Sequence, residues 1–239
     1  MIHYHGTPMG GTRVDVVRFF AGRHALVPFP RRDDLGAVAE VCQSWVADNG
    51  AFSVWKRGLK LDVPGYLAWL HDWCKHPGFD WALIPDVIQG SSEENDAMVE
   101  AWPNDIRGVP VYHMHEPLDR AVRLAHNWPT VALGSSGEWS TPGTPDWWTR
   151  MAAIMQAVCD AEGRPPCRFH GLRMLNPKVF ANLPLSSADS CNATRNCGNT
   201  WAPGGYSLPN AAQRADVIAS RVEAHNSAPV FDRMAWMLS

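Results

Sequence analysis

The chain has 239 residues, 46% of them hydrophobic and 19% charged, with a formal net charge of -3. That length suits one large domain with a full core, residues 1–239, rather than two independent ones. The composition excludes a disordered chain, and the charge excludes a protein coated in positive charge; a local basic rim stays open, with Arg31, Arg32, Lys56, Arg57, Arg173 and Arg195 as its candidates.

In chain order, short β-type runs recur as YHGTP near residue 4, HALVPF at 24, SWVADNG at 44, DWALIPD at 80, VPVYHMH at 109, TVALGSS at 130, RFHGLRM at 168 and LPLSSADS at 183. Between them stand segments of helical character: TRVDVVRFFAG, DLGAVAEVC, PGYLAWLHDWCKH, EENDAMVEAW, PLDRAVRLAH, PDWWTRMAAIMQAVCDAEG, a short NPKVFAN and a last NAAQRADVIASRVEAHN. Several open on the Asp, Ser or Pro favoured in a first turn, TPDWW and HEPLDR most clearly. Strand alternating with helix eight times predicts a (β/α)8 TIM-like barrel, α/β in class, and the apolar WALIP and TVAL suit strands covered on both faces. A doubly wound open sheet is the rival that the same alternation serves. CGNTWAPGGYSLP, residues 197 to 209, reads as the one long loop, and most of the twelve tryptophans read as core.

No apolar run nears the roughly 18 residues needed to cross a bilayer, and the opening MIHYHGTPMGG lacks the pattern of a signal peptide. A cytoplasmic protein is expected, in a host's cytoplasm if the chain is phage-encoded, with no membrane contact. The cysteines at 42, 74, 159, 167, 191 and 197 form no CxxC pair, so reduced thiols are the default.

In such a barrel chemistry sits where the strands end. Those ends read His5, Asp48, Asp86, His113 with His115, Ser135 with Ser136, Arg173 and Asp189. Three carboxylates at one mouth without as many cations cost free energy unless they are used. Each one alone is equally well an N-cap or turn aspartate. Asp189, in LSSADSCNATRNC, is thus open between nucleophile, metal ligand and turn residue.

Taken together and in order, ADNGAF, IPDVIQG, VALGSSGEW and HGLRML with SADS resemble the tRNA-guanine transglycosylases, most nearly the shorter phage-type relatives of the DpdA branch, which exchange guanine in DNA for a 7-deazaguanine. The resemblance spans about residues 44 to 192. It implies a DNA-guanine transglycosylase, a pentosyltransferase acting on DNA that is single-stranded or locally opened. The incoming base would be a 7-deazaguanine such as preQ0, with accessory phage or host proteins as further partners. Asp189 stands where the family keeps its nucleophile, Asp48 where its D-S-G-G-F turn carries the general acid/base, and Asp86 where an aspartate reads the guanine edge. Gly134, Ser135, Ser136 and Glu138 lie where the family's G-G-L-x-x-G-E loop meets the base, although serine replaces one glycine and its neighbour. Arg173 and His115 at strand ends complete the candidate substrate-binding set, with Phe52, Trp139 or Tyr112 as stacking surfaces. The chemistry fits, since a carboxylate can trap an oxocarbenium-like C1′ as an ester while a second acid protonates the leaving purine.

The family's zinc site is poorly matched. Cys191, Cys197 and His225 are the candidates for a structural zinc, one ligand short of a closed set unless Cys167 or His170 joins; the chemistry itself requires no cofactor. The alternative reading is a metal-dependent hydrolase of the amidohydrolase type, in which His3 and His5 of HYH, HMH at 113–115 and Asp189 would hold two metals. A third is a catalytically inert barrel that binds nucleic acid or a protein.

Overall fold

The computed structural model describes residues 1–198 and 208–232, so most of the loop expected at 197–209 lies outside the described residues. All eight expected strands form, and all are parallel: β1 (Ile2–Gly6), β2 (His24–Pro28), β3 (Ser44–Asp48), β4 (Phe79–Leu83), β5 (Gly108–Val109) with β6 (Val111–His113), β7 (Thr130–Gly134), β8 (Arg168–Gly171) and β9 (Leu185–Ser190). The sheet order is β5-β4-β3-β2-β1-β9-β8-β7-β6. β5 and β6 are the two halves of the single strand read as VPVYHMH, divided at Pro110. The first half pairs with β4 and the second with β7, which brings the two edges of the sheet together as a nearly closed, TIM-like α/β barrel. Pro110 has no N–H for a ladder, and its carbonyl accepts from Ala132 N at 2.9 Å as the strand changes partners.

The helices are α1 (Arg13–Phe20), α2 (Leu35–Ala39), α3 (Ala51–Lys56), α4 (Val63–Trp73), α5 (Ser92–Glu100), α6 (Leu118–Asn127), α7 (Pro145–Val158), α8 (Pro177–Phe180), α9 (Asn192–Asn196) and α10 (Ala211–Glu223). Two of them, α3 and α9, are short turns of helix that periodicity does not announce. Thr12 and Ser91 close capping boxes with Asp15 and Glu94, and the Thr144 hydroxyl accepts from Trp147 N to start α7. α7 stops at Val158, short of the expected 163, because the chain reverses through Asp160 and Gly163, the latter at φ +77.

Strand side chains alternate between the two faces of the wall. Tyr4, Leu26, Val46, Trp81, Leu83, Val109, Val111 and Ala132 fill the barrel interior. The opposite parity, with Ala25, Val27, Trp45, Ala47, Val131, Leu133 and Phe169, packs under the helices in two larger clusters. Trp45, Trp69, Trp81, Trp102 and Trp147 are core residues as expected, whereas Trp55 is not. Toward the N-terminal end of the barrel the Tyr4 hydroxyl donates to Asp80 at 2.6 Å, and Ser44 reaches the same carboxylate. A register shift between Trp45 and Val46 turns both Asp80 and Trp81 inward.

Candidate active site at the barrel mouth

Asp48 is the last residue of β3 and carries the inward parity of Ser44 and Val46. Its Oδ1 accepts from Gly50 N at 2.9 Å, which leaves the rest of the carboxylate facing the mouth. The turn requires glycine at 50: φ is +78, and a Cβ there would come within 2.4 Å of Pro30 Cδ. Desolvation, opposed in part by the Gly50 N–H and reinforced by the charges of Asp189 and Asp86, raises the Asp48 pKa to about 7. Both other carboxylates are thus close enough for Asp48 to feel their fields.

Asp86 follows β4 and is clamped from two sides. Asn49 Nδ2 donates to Oδ1 at 2.7 Å, and His113 Nε2 lies 2.9 Å from Oδ2. Asn49 is itself pinned, donating to Ile84 O and accepting from Ala51 N. The Asp86–His113 pair spans the seam where β4 and β6 no longer share a backbone ladder. His113 is held from behind by Glu116, whose carboxylate accepts from His113 N at 2.8 Å, Asn95 Nδ2 at 2.9 Å and Arg120 Nη1 at 2.7 Å. Glu116 and Arg120 are both buried, so each satisfies the other's charge.

Asp189 is the inward residue near the end of β9, 5% exposed. Its Oδ1 accepts from Arg173 N at 2.9 Å and faces His170 Nε2 at 3.3 Å, while Oδ2 meets no protein partner among the described residues. His170, fully buried on β8, has Nδ1 2.9 Å from Ser187 Oγ and its ring edge-on to Trp81 at 4.8 Å. Arg173 has the unusual φ of +59 for a non-glycine residue; it lays its guanidinium 4.1 Å over the Phe52 ring and donates from Nη2 to Ser135 O at 3.0 Å.

The three aspartates thus meet at one mouth, with Arg173 and Phe52 beside them. Gly134 packs so closely on His113 that an added Cβ would stand 3.0 Å from Nδ1. Ser135 and Ser136 follow it into the buried rim, but their hydroxyls are engaged, by Trp147 Nε1 at 2.9 Å and by His115 Nδ1 at 2.8 Å. His115 also places Nε2 3.0 Å from Gly90 O, so it braces two loops rather than presenting a free edge. Glu138 is exposed on the turn Gly137–Trp139. Of the stacking candidates, Tyr112 points outward under α6 and α7 with its hydroxyl on Glu116 O, and Trp139 is covered by Arg150, 5.1 Å from its ring centroid; only Phe52 stands at the mouth.

The zinc ligands do not assemble. Cys191 and Cys197 follow the C-terminal end of β9 and lie against Thr7 and Gly10, whereas the His225 carbonyl meets His3 Nε2 at the start of β1, at the other end of the barrel. Burial, then the charge of Asp189, pushes the Cys191 thiol up to about 12. Cys167, the proposed fourth ligand, precedes β8 at the barrel's N-terminal side, and His170 lies on the inner wall with Nδ1 against Ser187 and Nε2 3.3 Å from Asp189, away from both cysteines' contacts with Thr7 and Gly10. Among the described residues no group of three or more His, Cys, Asp or Glu is arranged to hold a metal ion. A chelator is therefore expected to leave the melting temperature unchanged; a fall beyond about 4 °C, the scale of about 1 kcal/mol at this size, would show a bound structural metal. The binuclear arrangement fails for a related reason. His3 and His5 do share a face, but it is the outer one, against Phe180 and against Phe19 with Glu223, so they cannot converge with His113 and Asp189.

Comparison of the chain with family models, with curated proteins and with solved structures finds no match. Among the described residues no helix is long and apolar enough to cross a membrane. Two site residues escape the reading of strand ends, His170 and Asn49. The signal for His170 was its inward parity, two positions before Leu172 on the strand that ends beside Asp189; for Asn49 it was only a place in a turn.

Proposed function

We propose that the chain is a base-exchange glycosyltransferase that replaces guanine in DNA with a 7-deazaguanine such as preQ0 through a covalent aspartyl intermediate. The observation that carries this reading is the pairing of two unlike carboxylates across one mouth. Asp48 has its pKa raised to about 7 and holds or releases a proton at neutral pH, while Asp189 is oriented through Oδ1 and presents an Oδ2 without a protein partner among the described residues. Glycosyl transfer with retention needs that division of labour. Asp189 Oδ2 attacks C1′ as the C1′–N9 bond breaks, its electron pair leaves with guanine, and the proton of Asp48 neutralises the departing base. In the second half the Asp48 carboxylate takes the N9 proton of the incoming base, whose N9 then attacks C1′ and expels Asp189.

Asp86 is the part of the site suited to reading guanine. Both its oxygens are already engaged, yet each carboxylate oxygen accepts more than one hydrogen bond, and the Asn49 and His113 clamps fix its direction. Asp86→Asn is expected to place a donor against the N1–H and 2-amino donors of guanine and to weaken base recognition by about 2–4 kcal/mol. The measurement is the ratio of kcat/KM for guanine to that for hypoxanthine, which lacks the 2-amino group. Collapse of that ratio supports the role; an unchanged ratio removes Asp86 from base reading.

The direct test is mass spectrometry of nucleosides from guanine-containing DNA incubated with the protein and 7-cyano-7-deazaguanine. The deazaguanosine nucleoside should rise with time and free guanine should be released in equal amount. Binding of DNA without any exchange would favour an inert nucleic-acid-binding barrel.

A further inference from the structure

A groove of about 660 Å³ opens beside the mouth, lined by Phe52, Trp55, Lys56, Gly58, Ser140 and Arg173. Three features set it apart from an ordinary solvated surface. The Trp55 side chain lies one helical turn after Phe52, ring centroids 5.9 Å apart, yet is 44% exposed where the core tryptophans are buried. KRGLK, residues 56–60, gathers three cations in a chain of net charge -3, and Lys56, Arg57 and Lys60 pair with no carboxylate among the described residues. Finally, Arg173 joins the groove to the mouth: its backbone N–H holds Asp189, its guanidinium covers Phe52, and it does so in a left-handed conformation that a non-glycine residue adopts at a cost.

We propose that this groove receives the single-stranded stretch of DNA flanking the exchanged nucleotide, with a neighbouring base stacked on Trp55 and the adjoining phosphates against Lys56, Arg57 and Arg173. This rests on the base-exchange reading of the mouth. An exposed aromatic face interleaved with unpaired cations is the surface that holds an unpaired strand, since bases stack on the ring while the cations follow the backbone. A duplex keeps its bases stacked on one another and has no face to offer Trp55. An acidic protein segment would satisfy the cations and leave the indole without a partner of its own shape.

The test is fluorescence anisotropy of a labelled guanine-containing oligonucleotide, using the full chain carrying Asp189→Asn so that no turnover intervenes. Trp55→Ala should raise the Kd for the single strand roughly 5- to 150-fold, with Trp55→Phe recovering most of it. Lys56→Gln and Arg57→Gln should each flatten the slope of log K against log salt by about 0.7. The duplex of the same sequence should bind more weakly and ignore Trp55→Ala. Equal binding of the duplex, equal potency of poly-glutamate as competitor, or a tenfold preference for RNA of the same sequence would each overturn the assignment. The two readings separate cleanly. Strand binding that depends on Trp55 in a protein without exchange activity retains the groove and removes the reaction. Exchange in the otherwise wild-type protein with an unchanged KM for DNA in Trp55→Ala removes the groove and retains the reaction.

Discussion

Replacing Asp189 with asparagine is expected to abolish base exchange while the barrel stays folded. The asparagine Oδ1 can still accept from Arg173 N, and the small neighbours Ser187, Ala188 and Ser190 leave the side chain the same room, so stability should change by about 1 kcal/mol or less. What changes is the atom aimed at the mouth. The free Oδ2 becomes an amide nitrogen, which forms no glycosyl ester, and loss of the covalent step should cost at least about 10⁴ in rate, or about 5.5 kcal/mol of barrier. Two measurements check this: nucleoside mass spectrometry for exchange, and denaturing electrophoresis of a reaction stopped midway. The unsubstituted protein should show a protein–DNA adduct and the variant none. Substantial exchange by the variant would return Asp189 to the role of a turn residue and leave the chemistry to another group.

Much of this site could be read before the fold was known, because parallel strands impose a simple rule. In SWVADNG and LSSADS the period of two puts Asp48 and Asp189 on the same side as Val46 and Ser187, and the alternation with helices puts every strand end at one mouth. The same rule gave half an answer for HYH. His3 and His5 do share a face, but nothing in three residues says which face is inside; Tyr4, whose hydroxyl reaches Asp80 across the barrel, takes the interior. Pairings between distant segments were out of reach. The hold of Asn49 on Asp86 joins residues 37 apart, and the approach of His170 to Asp189 depends on how β8 registers against β9, where Ser187 rather than Ser186 faces His170. The separation of the zinc candidates was hidden by the same limit, since spacing along the chain placed His225 after the cysteines without showing that α10 carries it back to the start of β1. α3, the wall of the groove, is six residues of helix behind a left-handed glycine, too short for any apolar period to appear.

Asp48→Asn is expected to move activity and stability in opposite directions. A group whose folded pKa lies at about 7, against about 4 for an ordinary aspartate, binds its proton more tightly in the folded chain. Its contribution to stability is whole below pH 4 and is lost as the pH rises through 7, where the ionised carboxylate must share the mouth with Asp86 and Asp189. Asparagine carries no charge at any pH and keeps the acceptor for Gly50 N. The variant should therefore match the unsubstituted protein near pH 4 and gain on it up to about pH 8. Three pKa units at about 1.4 kcal/mol each set an upper bound of about 4 kcal/mol, and solvent access at the half-buried side chain reduces this to about 2 kcal/mol. Thermal melts across that pH range should show a gain reaching about 4–8 °C. Exchange should fall by 10²–10⁴, since the leaving guanine loses its proton donor and the incoming base its acceptor. An aspartate that only capped a turn would give the reverse, a small loss of stability at every pH with the rate preserved. A destabilised variant that still exchanges bases would take Asp48 out of the mechanism, whereas a stabilised, inactive one marks a carboxylate kept at a cost to the fold because the reaction uses it.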